Sequence, residues 1–371
     1  MKSTGIITEY NPFHQGHCHH IQKARELTQC DVLVAVMSGN FVQRGEMAIV
    51  DKWQRAQAAI EHGVDLVIEL PYLYATQSAS QFAEAAVQLC NLANVDNLVF
   101  GSESNDLERL KEIASMSFNV DYLKEALNAG EGYAKAYSLG SVIMQPNDIL
   151  AIAYLKALKD KNITPYCIQR TNHYHDESMD QEIASATAIR KAYFEKGFQV
   201  ENAPLLIQEP TVCWKQFYPV LRVLFQTLSP DEMKEIFLFN EGIENHLRKQ
   251  MQNSSSWEDF LEKSVNKRYT KARIQRTCLH LLNHITKQDA AQLEPLDTIR
   301  VLAMNETGQK YLKELKKKEV KIASRFAQVP YHLREMELKT TRLYASLMDK
   351  DNYQKLIEKE IGGAMRILHQ D

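Results

Sequence analysis

The sequence predicts a doubly wound α/β domain with a parallel sheet over residues 1–200, followed by an α-helical domain over residues 201–371. Three observations lead to that division. The apolar β-branched runs of the first half are continuous rather than alternating, as in strands covered on both faces. Helix-length segments separate them, as parallel crossovers require. Beyond about residue 205 the strand pattern gives way to long helical segments.

In chain order, Thr4–Thr8 reads as a short buried strand and His17–Leu27 as a helix. Asp31–Met37 (DVLVAVM) is an apolar run of strand type, Lys52–Glu61 is helical, and Asp65–Leu70 is a strand stopped by Pro71. Ser78–Leu92 is a helix rich in alanine and glutamine; Asn97–Phe100 is a short strand ending in Gly101. Asp148–Leu158 is helical, Thr164–Ile168 strand-like, and Ala186–Phe194 a closing helix. Pro204, Pro210 and Pro219 mark a linker. The second half reads as helices at Pro230–Phe239, Trp257–Leu261, Tyr269–Ile285, Leu296–Val301, Thr307–Glu319 and Leu338–Met348.

The chain has 371 residues and a formal charge of −3, unlike a protein that coats nucleic acid indiscriminately. The balance is uneven: residues 1–200 hold 17 Lys and Arg against 24 Asp and Glu, whereas residues 201–371 hold 27 against 23. None of the six cysteines is paired in a CxxC spacing, so a structural zinc site has no support. No apolar stretch approaches the ~18 residues of a membrane span, and no secretory leader opens the chain, so a reducing cytoplasm is the expected location.

The strongest chemical signal is the first strand–helix junction, Thr8-Glu9-Tyr10-Asn11-Pro12-Phe13-His14-Gln15-Gly16-His17. Pro12 and Gly16 shape a tight loop, and Gly16 lets the backbone approach a ligand. The helix that follows offers free N–H groups and a positive dipole end, which suit a phosphate. Two imidazoles there can hydrogen-bond a triphosphate and stabilise charge developing at its α-phosphorus. Cys18, His19 and His20 lie close by, but His17, His19 and His20 cannot face one way on a helix, so no metal site is expected.

A strand followed by N-P-F-H-x-G-H resembles the HxGH signature of the nucleotidylyltransferase and class I aminoacyl-tRNA synthetase superfamily. Further motifs sharpen the likeness: Met37-Ser38-Gly39-Asn40-Phe41-Val42-Gln43-Arg44-Gly45-Glu46, Asp65-Leu66-Val67-Ile68-Glu69-Leu70-Pro71, Phe100-Gly101-Ser102-Glu103, Pro146-Asn147, Arg170 with Tyr174-His175-Asp176, and Ile183-Ala184-Ser185-Ala186-Thr187-Ala188-Ile189-Arg190. Together they resemble the tRNA(Met) cytidine acetate ligase family, densely to about residue 191 and more loosely beyond.

The resemblance implies a Rossmann-like nucleotidylyltransferase (HUP-type) fold and a two-step reaction. Acetate attacks the α-phosphate of ATP to give acetyl-adenylate. The acetyl group then moves to the amine of the wobble cytidine of elongator tRNA(Met), forming N4-acetylcytidine without acetyl-CoA. Mg2+ is expected with the triphosphate; neither DNA nor a membrane is an expected partner.

Carried over by position, the ATP site comprises Ile7, Thr8, Glu9, Tyr10, Asn11, Pro12, Phe13, His14, Gln15, Gly16, His17, Cys18, His19 and His20, completed by Gly101, Asn147 and Arg170. His14 and His17 are the catalytic pair. Gly101 would leave room for the nucleotide, Asn147 can read a base or ribose or cap its helix, and Arg170 can neutralise phosphate. Ser185, Thr187 and Arg190 resemble the superfamily's second signature, which holds the outer phosphates. Where the family commonly shows a second Asn after Asn147, this chain has Asp148. The loop Ser38–Glu46, with an exposed-looking Phe41, either shapes the acetate pocket, contacts the cytidine, or is a plain surface loop.

In the second half, Lys263–Arg276 holds six cations and no acid. Lys267, Arg268, Lys271, Arg273 and Arg276 form the candidate tRNA contact, with His280 on the face of Arg273 and Arg276 and Tyr269 as an aromatic neighbour. Two alternatives stand beside the ligase. A small-molecule adenylyltransferase of the same superfamily would not need the basic helical half, and a non-catalytic RNA-binding protein with a nucleotide pocket would not need both imidazoles.

Overall fold

The computed structural model describes residues 1–116, 145–170, 185–197 and 203–368. The motif residues Tyr174-His175-Asp176 and Ile183-Ala184 lie outside them. Among the described residues eight strands form one sheet: β1 (Ser3–Thr8), β2 (Val32–Ser38), β3 (Leu66–Leu70), β4 (Asn97–Ser102), β5 (Thr164–Gln169), β6 (Thr298–Met304), β7 (Lys321–Ala323) and β8 (Met365–Arg366). Their order is β5-β4-β1-β2-β3-β6-β7, with β8 also paired to β6. β1 to β5 run parallel, and β6 is antiparallel to β3.

The continuous apolar runs became central strands for the expected reason: every residue of β2 and β3 is buried. Val32, Val34, Val36, Leu66, Ile68 and Leu98 pack under helices Ala79–Leu92, Pro146–Ala157 and Glu306–Lys317. Leu33, Ala35, Met37 and Val67 face the opposite side, and there the core continues without a break into the helical region through Phe217, Leu221, Phe260 and Leu279. Sheet and helices 214–227, 257–264 and 271–282 therefore share one core. Pro219, expected in a linker, lies inside helix Trp214–Thr227.

The main correction to the sequence reading is in the C-terminal part. Leu296–Val301 is not helical; the segment is strand β6, and β7 and β8 follow it into the sheet. Arg300 interrupts the apolar pattern of β6, yet it is buried within a charge cluster. Its Nη1 lies 2.6 Å from Glu69 of β3 and 2.8 Å from Glu360, while Lys52 Nζ lies 2.5 Å from Glu69 and 2.8 Å from Glu360. Glu337 adjoins them and accepts the Tyr72 N–H at 2.6 Å. Two cations thus face three carboxylates, and burial, followed by the charge of Glu69, pushes Glu337 up to about 8. Isolated buried charges cost several kcal/mol, so the mutual pairing is what lets these groups sit in the core.

Candidate nucleotide site at the carboxyl edge of the sheet

From β1 the chain turns outward to β2 and β3, then crosses back over β1 to β4. The carboxyl ends of β1 and β4 thus form a topological switch point, where doubly wound sheets bind ligands. A cleft of about 300 Å³ opens there. Its walls include His14 and Gly16 at the start of helix Gln15–Thr28, Ala79 of helix Ala79–Leu92, Pro146 and Asn147 of helix Pro146–Ala157, and Ala186 and Thr187 of helix Ala186–Lys196. Four helix N-termini thus converge on one space with the positive ends of their dipoles; in helix Pro146–Ala157 the first N–H groups are already taken, Glu103 accepting those of Asn147 and Asp148.

The first signature is a capping box built from imidazoles. His14 is the N-cap, its Nδ1 accepting the Gly16 N–H at 3.0 Å, and His17 Nδ1 accepts the His14 N–H at 3.2 Å. An Nδ1 that accepts carries no proton, so each neutral ring keeps its hydrogen on Nε2. Both rings line the cleft and stand 3.9 Å apart between centroids. Burial, then Arg170 and Arg190, pushes His14 down to about 3; burial, then His14, holds His17 well below the ordinary histidine range. The pair is therefore neutral at pH 7 and offers two fixed Nε2–H donors.

The rest of the loop divides between wall and support. Ile7, Thr8, Glu9, Tyr10, Asn11, His19 and His20 also line the cleft. Pro12 and Phe13 are buried, Phe13 edge-on to Tyr10 at 4.8 Å; Gln15 faces solvent and Cys18 packs against the core. His20 donates through Nε2 to the Val99 carbonyl at 3.3 Å. Glu9 accepts the Gln43 N–H at 2.6 Å, and burial raises its carboxyl above the usual range. Arg55, fully buried, donates to the carbonyls of Glu9, Ser38, Gly39 and Val50, and so ties the end of β1 to the end of β2.

Gly101, Asn147 and Arg170 come together at the cleft. Gly101 lies within β4, and a Cβ there would approach Arg170 Cγ to 3.1 Å, so the glycine makes room for the arginine stem. Asn147 is in the first helical turn rather than at the cap; its Nδ2 donates to Glu103 at 2.5 Å and its Oδ1 accepts from Arg170 at 3.4 Å. Glu103 also accepts the Asp148 N–H at 2.9 Å. Asp148 turns away from the cleft and accepts from Ser102 Oγ at 2.5 Å and the Glu103 N–H at 3.0 Å.

In the second signature, Ser185 caps helix Ala186–Lys196 by accepting the Ala188 N–H, and Thr187 lines the cleft. Arg190 is not a solvated surface residue. It donates to the Asn11 carbonyl at 2.6 Å and pairs with Glu46 at 3.0 Å, joining the two signatures to the Ser38–Glu46 loop. In that loop Gln43 and Arg44 line the cleft, but Phe41 is 1% exposed and edge-on to Tyr72 and Tyr344, contrary to its exposed appearance in the sequence. Sequence reasoning assigned no role to Glu46 or Glu103, although both lie in the quoted motifs.

The cation run divides as well. Lys267, Arg268 and Lys271 are exposed. Arg273 pairs with Glu241 at 3.0 Å, and with Arg268 it flanks the Tyr269 ring, at 5.3 Å and 5.4 Å. Arg276 and His280 do not share an exposed face with Arg273. Arg276 turns inward to donate to the Gln43 carbonyl at 3.1 Å, and His280 is fully buried against Tyr72.

Fold and cleft together define a Rossmann-like protein of the HxGH nucleotidyl-transferring class. The chain matches the HIGH Nucleotidyl Transferase family over residues 1–360. It is 36% identical to the tRNA(Met) cytidine acetate ligase of Anoxybacillus flavithermus, over 97% of this chain and 98% of that one. It is 40% identical to the enzyme of the same name from Caldanaerobacter subterraneus, over 93% and 94%. The solved structure of Thermotoga maritima TmcAL bound with alpha-thio ATP superposes with a TM-score of 0.85 at 30% identity, over 99% of this chain and all of that one. The chain thus belongs to the HIGH nucleotidyl transferase family, within its tRNA(Met) cytidine acetate ligases.

Proposed function

We propose that this protein uses ATP to ligate acetate to the wobble cytidine of elongator tRNA(Met), through an enzyme-held acetyl-adenylate. The observation that carries the ATP step is the convergence of four helix N-termini and the His14–His17 pair on one cleft. The relatives' shared name supplies the acetate and the tRNA.

In the first step an acetate oxygen attacks the α-phosphorus and pyrophosphate leaves. The two Nε2–H groups and the helix ends face the phosphates and stabilise charge that grows on the equatorial oxygens. Arg44, Arg170 and Arg190 supply fixed positive charge around the same space. Ser185, Thr187 and Arg190 hold the departing pyrophosphate. In the second step the cytidine amine attacks the acetyl carbonyl, AMP leaves, and the nitrogen loses a proton.

Among the described residues no group of three His, Cys, Asp or Glu forms a metal-ligand set, and Glu9 and Glu46 are tied to the Gln43 N–H and to Arg190 through one carboxylate oxygen each. Magnesium is accordingly assigned to the triphosphate's own oxygens and enters with the substrate. The exposed Lys267, Arg268 and Lys271 contact the tRNA backbone. Among the described residues no helix is long and apolar enough to cross a membrane.

The direct test is mass spectrometry of elongator tRNA(Met) after incubation with protein, ATP and labelled acetate. One labelled acetyl group at the wobble cytidine is expected. Modification supported by acetyl-CoA without ATP would overturn the ligase mechanism.

A further inference from the structure

A second cavity, of about 670 Å³, lies beside the nucleotide cleft and shares Glu46, Thr187 and Arg190 with it as a common wall. Its lining includes Val265 and Lys271, which in sequence bracket the exposed cations Lys267 and Arg268. Its sides carry Phe194 and Trp257, the latter stacked on Trp214 at 4.0 Å. Phe194 and Val265 are 45% and 44% exposed, which is high for large apolar side chains beside a cavity.

We propose that this cavity receives the acceptor base, a single cytosine swung out of a single-stranded RNA loop, and that Glu46 selects it over uracil. The inference rests on the ligase reading above and adds to it the place of the second substrate.

Three features converge on that occupant. The cavity adjoins the activating cleft and has Lys271 of the cation run in its lining, so an RNA backbone following Lys267, Arg268 and Lys271 carries its bases past it. The exposed faces of Phe194 and Val265 suit a flat aromatic ring, which single-stranded RNA presents once a base leaves its stack. The common wall suits the edge of cytosine. Glu46 holds its carboxylate 3.0 Å from Arg190, with Gln275 Nε2 at 3.5 Å, and Arg190 and Lys271 keep it ionised. A carboxylate accepts from the exocyclic N4–H2 of cytosine, whereas the O4 of uracil would meet it as a second acceptor. The amine that Glu46 receives is then the one turned toward the neighbouring cleft.

The test separates the two half-reactions in the full-length protein. Acetate-dependent ATP–pyrophosphate exchange reads activation, and acetylation of a synthetic anticodon stem-loop with cytidine at the wobble position reads transfer. Phe194→Ala removes the stacking surface, and Val265→Trp fills the cavity. For each variant the ratio of transfer to exchange should fall about ten- to a hundredfold, the scale of losing one base–aromatic contact. A Glu46→Gln variant should narrow the preference for cytidine over uridine in competition binding of the two stem-loops. An unchanged ratio in both cavity variants, or transfer and exchange falling in equal proportion, would overturn the proposal. A wild-type protein that shows no acetate-dependent exchange would instead sink the underlying ligase reading.

Discussion

Replacing His14 tests the nucleotide site most sharply, because that side chain does two separable things. Its Nδ1 caps the first helix by accepting the Gly16 N–H at 3.0 Å, which leaves the proton of the neutral ring on Nε2, and the residue lines the cleft. Losing an N-cap costs about 1 kcal/mol of stability. Losing one donor aimed at developing transition-state charge costs about 2.7–4 kcal/mol of barrier, or about 10²–10³ in rate. His14→Ala removes both, so it should unfold slightly earlier and slow acetate-dependent pyrophosphate exchange by that factor. His14→Asn restores a good cap with a side chain too short to present a donor at the same place. It should recover the stability and leave exchange as slow as in the alanine variant. Thermal unfolding and exchange measured on the same samples decide the matter. An asparagine variant with the wild-type exchange rate would mean that the imidazole only starts the helix, and the chemical role assigned to it would be wrong.

Other expectations follow from the same geometry. Because His14 is pushed down to about 3 and His17 is also strongly depressed, exchange should show no titration of these rings between pH 5.5 and 8; a limb near 6.5 that vanishes in the alanine variants would contradict this. Glu337 is raised from 4.5 to about 8, so the folded chain keeps a proton that the unfolded chain releases above about 4.5, and stability falls as pH rises between those values. Glu337→Gln keeps an acceptor for Tyr72 but has no proton to lose, so by denaturant unfolding it should stabilise the protein more at pH 7 than at pH 5; a loss of stability at pH 8 would refute the account. Gly45 has φ +76°, and a Cβ there would come 2.4 Å from the Arg276 nitrogen. Gly45→Ala should therefore destabilise the protein by a few kcal/mol, on the order of other strained or overpacked sites, and loosen the Ser38–Glu46 loop; a wild-type melting temperature would show that the contact yields freely. Lys267→Glu with Arg268→Glu should weaken tRNA binding and flatten its salt dependence. Arg276 is a poor probe of that surface, since its guanidinium supports Gln43 from within.

The sequence was most readable where one physical force decided the structure. Burial on both faces wrote β2 and most of β3 as apolar runs, and the HxGH junction announced its own helix start. It was least readable where a residue's partner lies far along the chain. Leu296–Val301 reads as helical, and the partners that let Arg300 sit inside strand β6, Glu69 and Glu360, lie 231 positions earlier and 60 later. β7 and β8, of three and two residues, carry no periodicity at all. In the site, motif spacing located Asn147, Arg170 and Arg190 but not their attachments. The ties from Glu103 to Asn147 and from Glu46 to Arg190 span 44 and 144 positions, and Phe41 is hidden by tyrosines from two other segments.

The charge cluster beneath the sheet also bears on how the protein is made. Lys52 is synthesised before Arg300, and Arg300 before Glu360. A nascent chain that has emerged only through β5 carries every HxGH residue, but Lys52 still lacks one of its two counter-ions and the open edge of β3 still lacks its neighbour. The core and charge cluster of the first half are thus completed only by the later strands and helix. A chain halted before Glu360 should therefore leave the ribosome with that cluster unfinished.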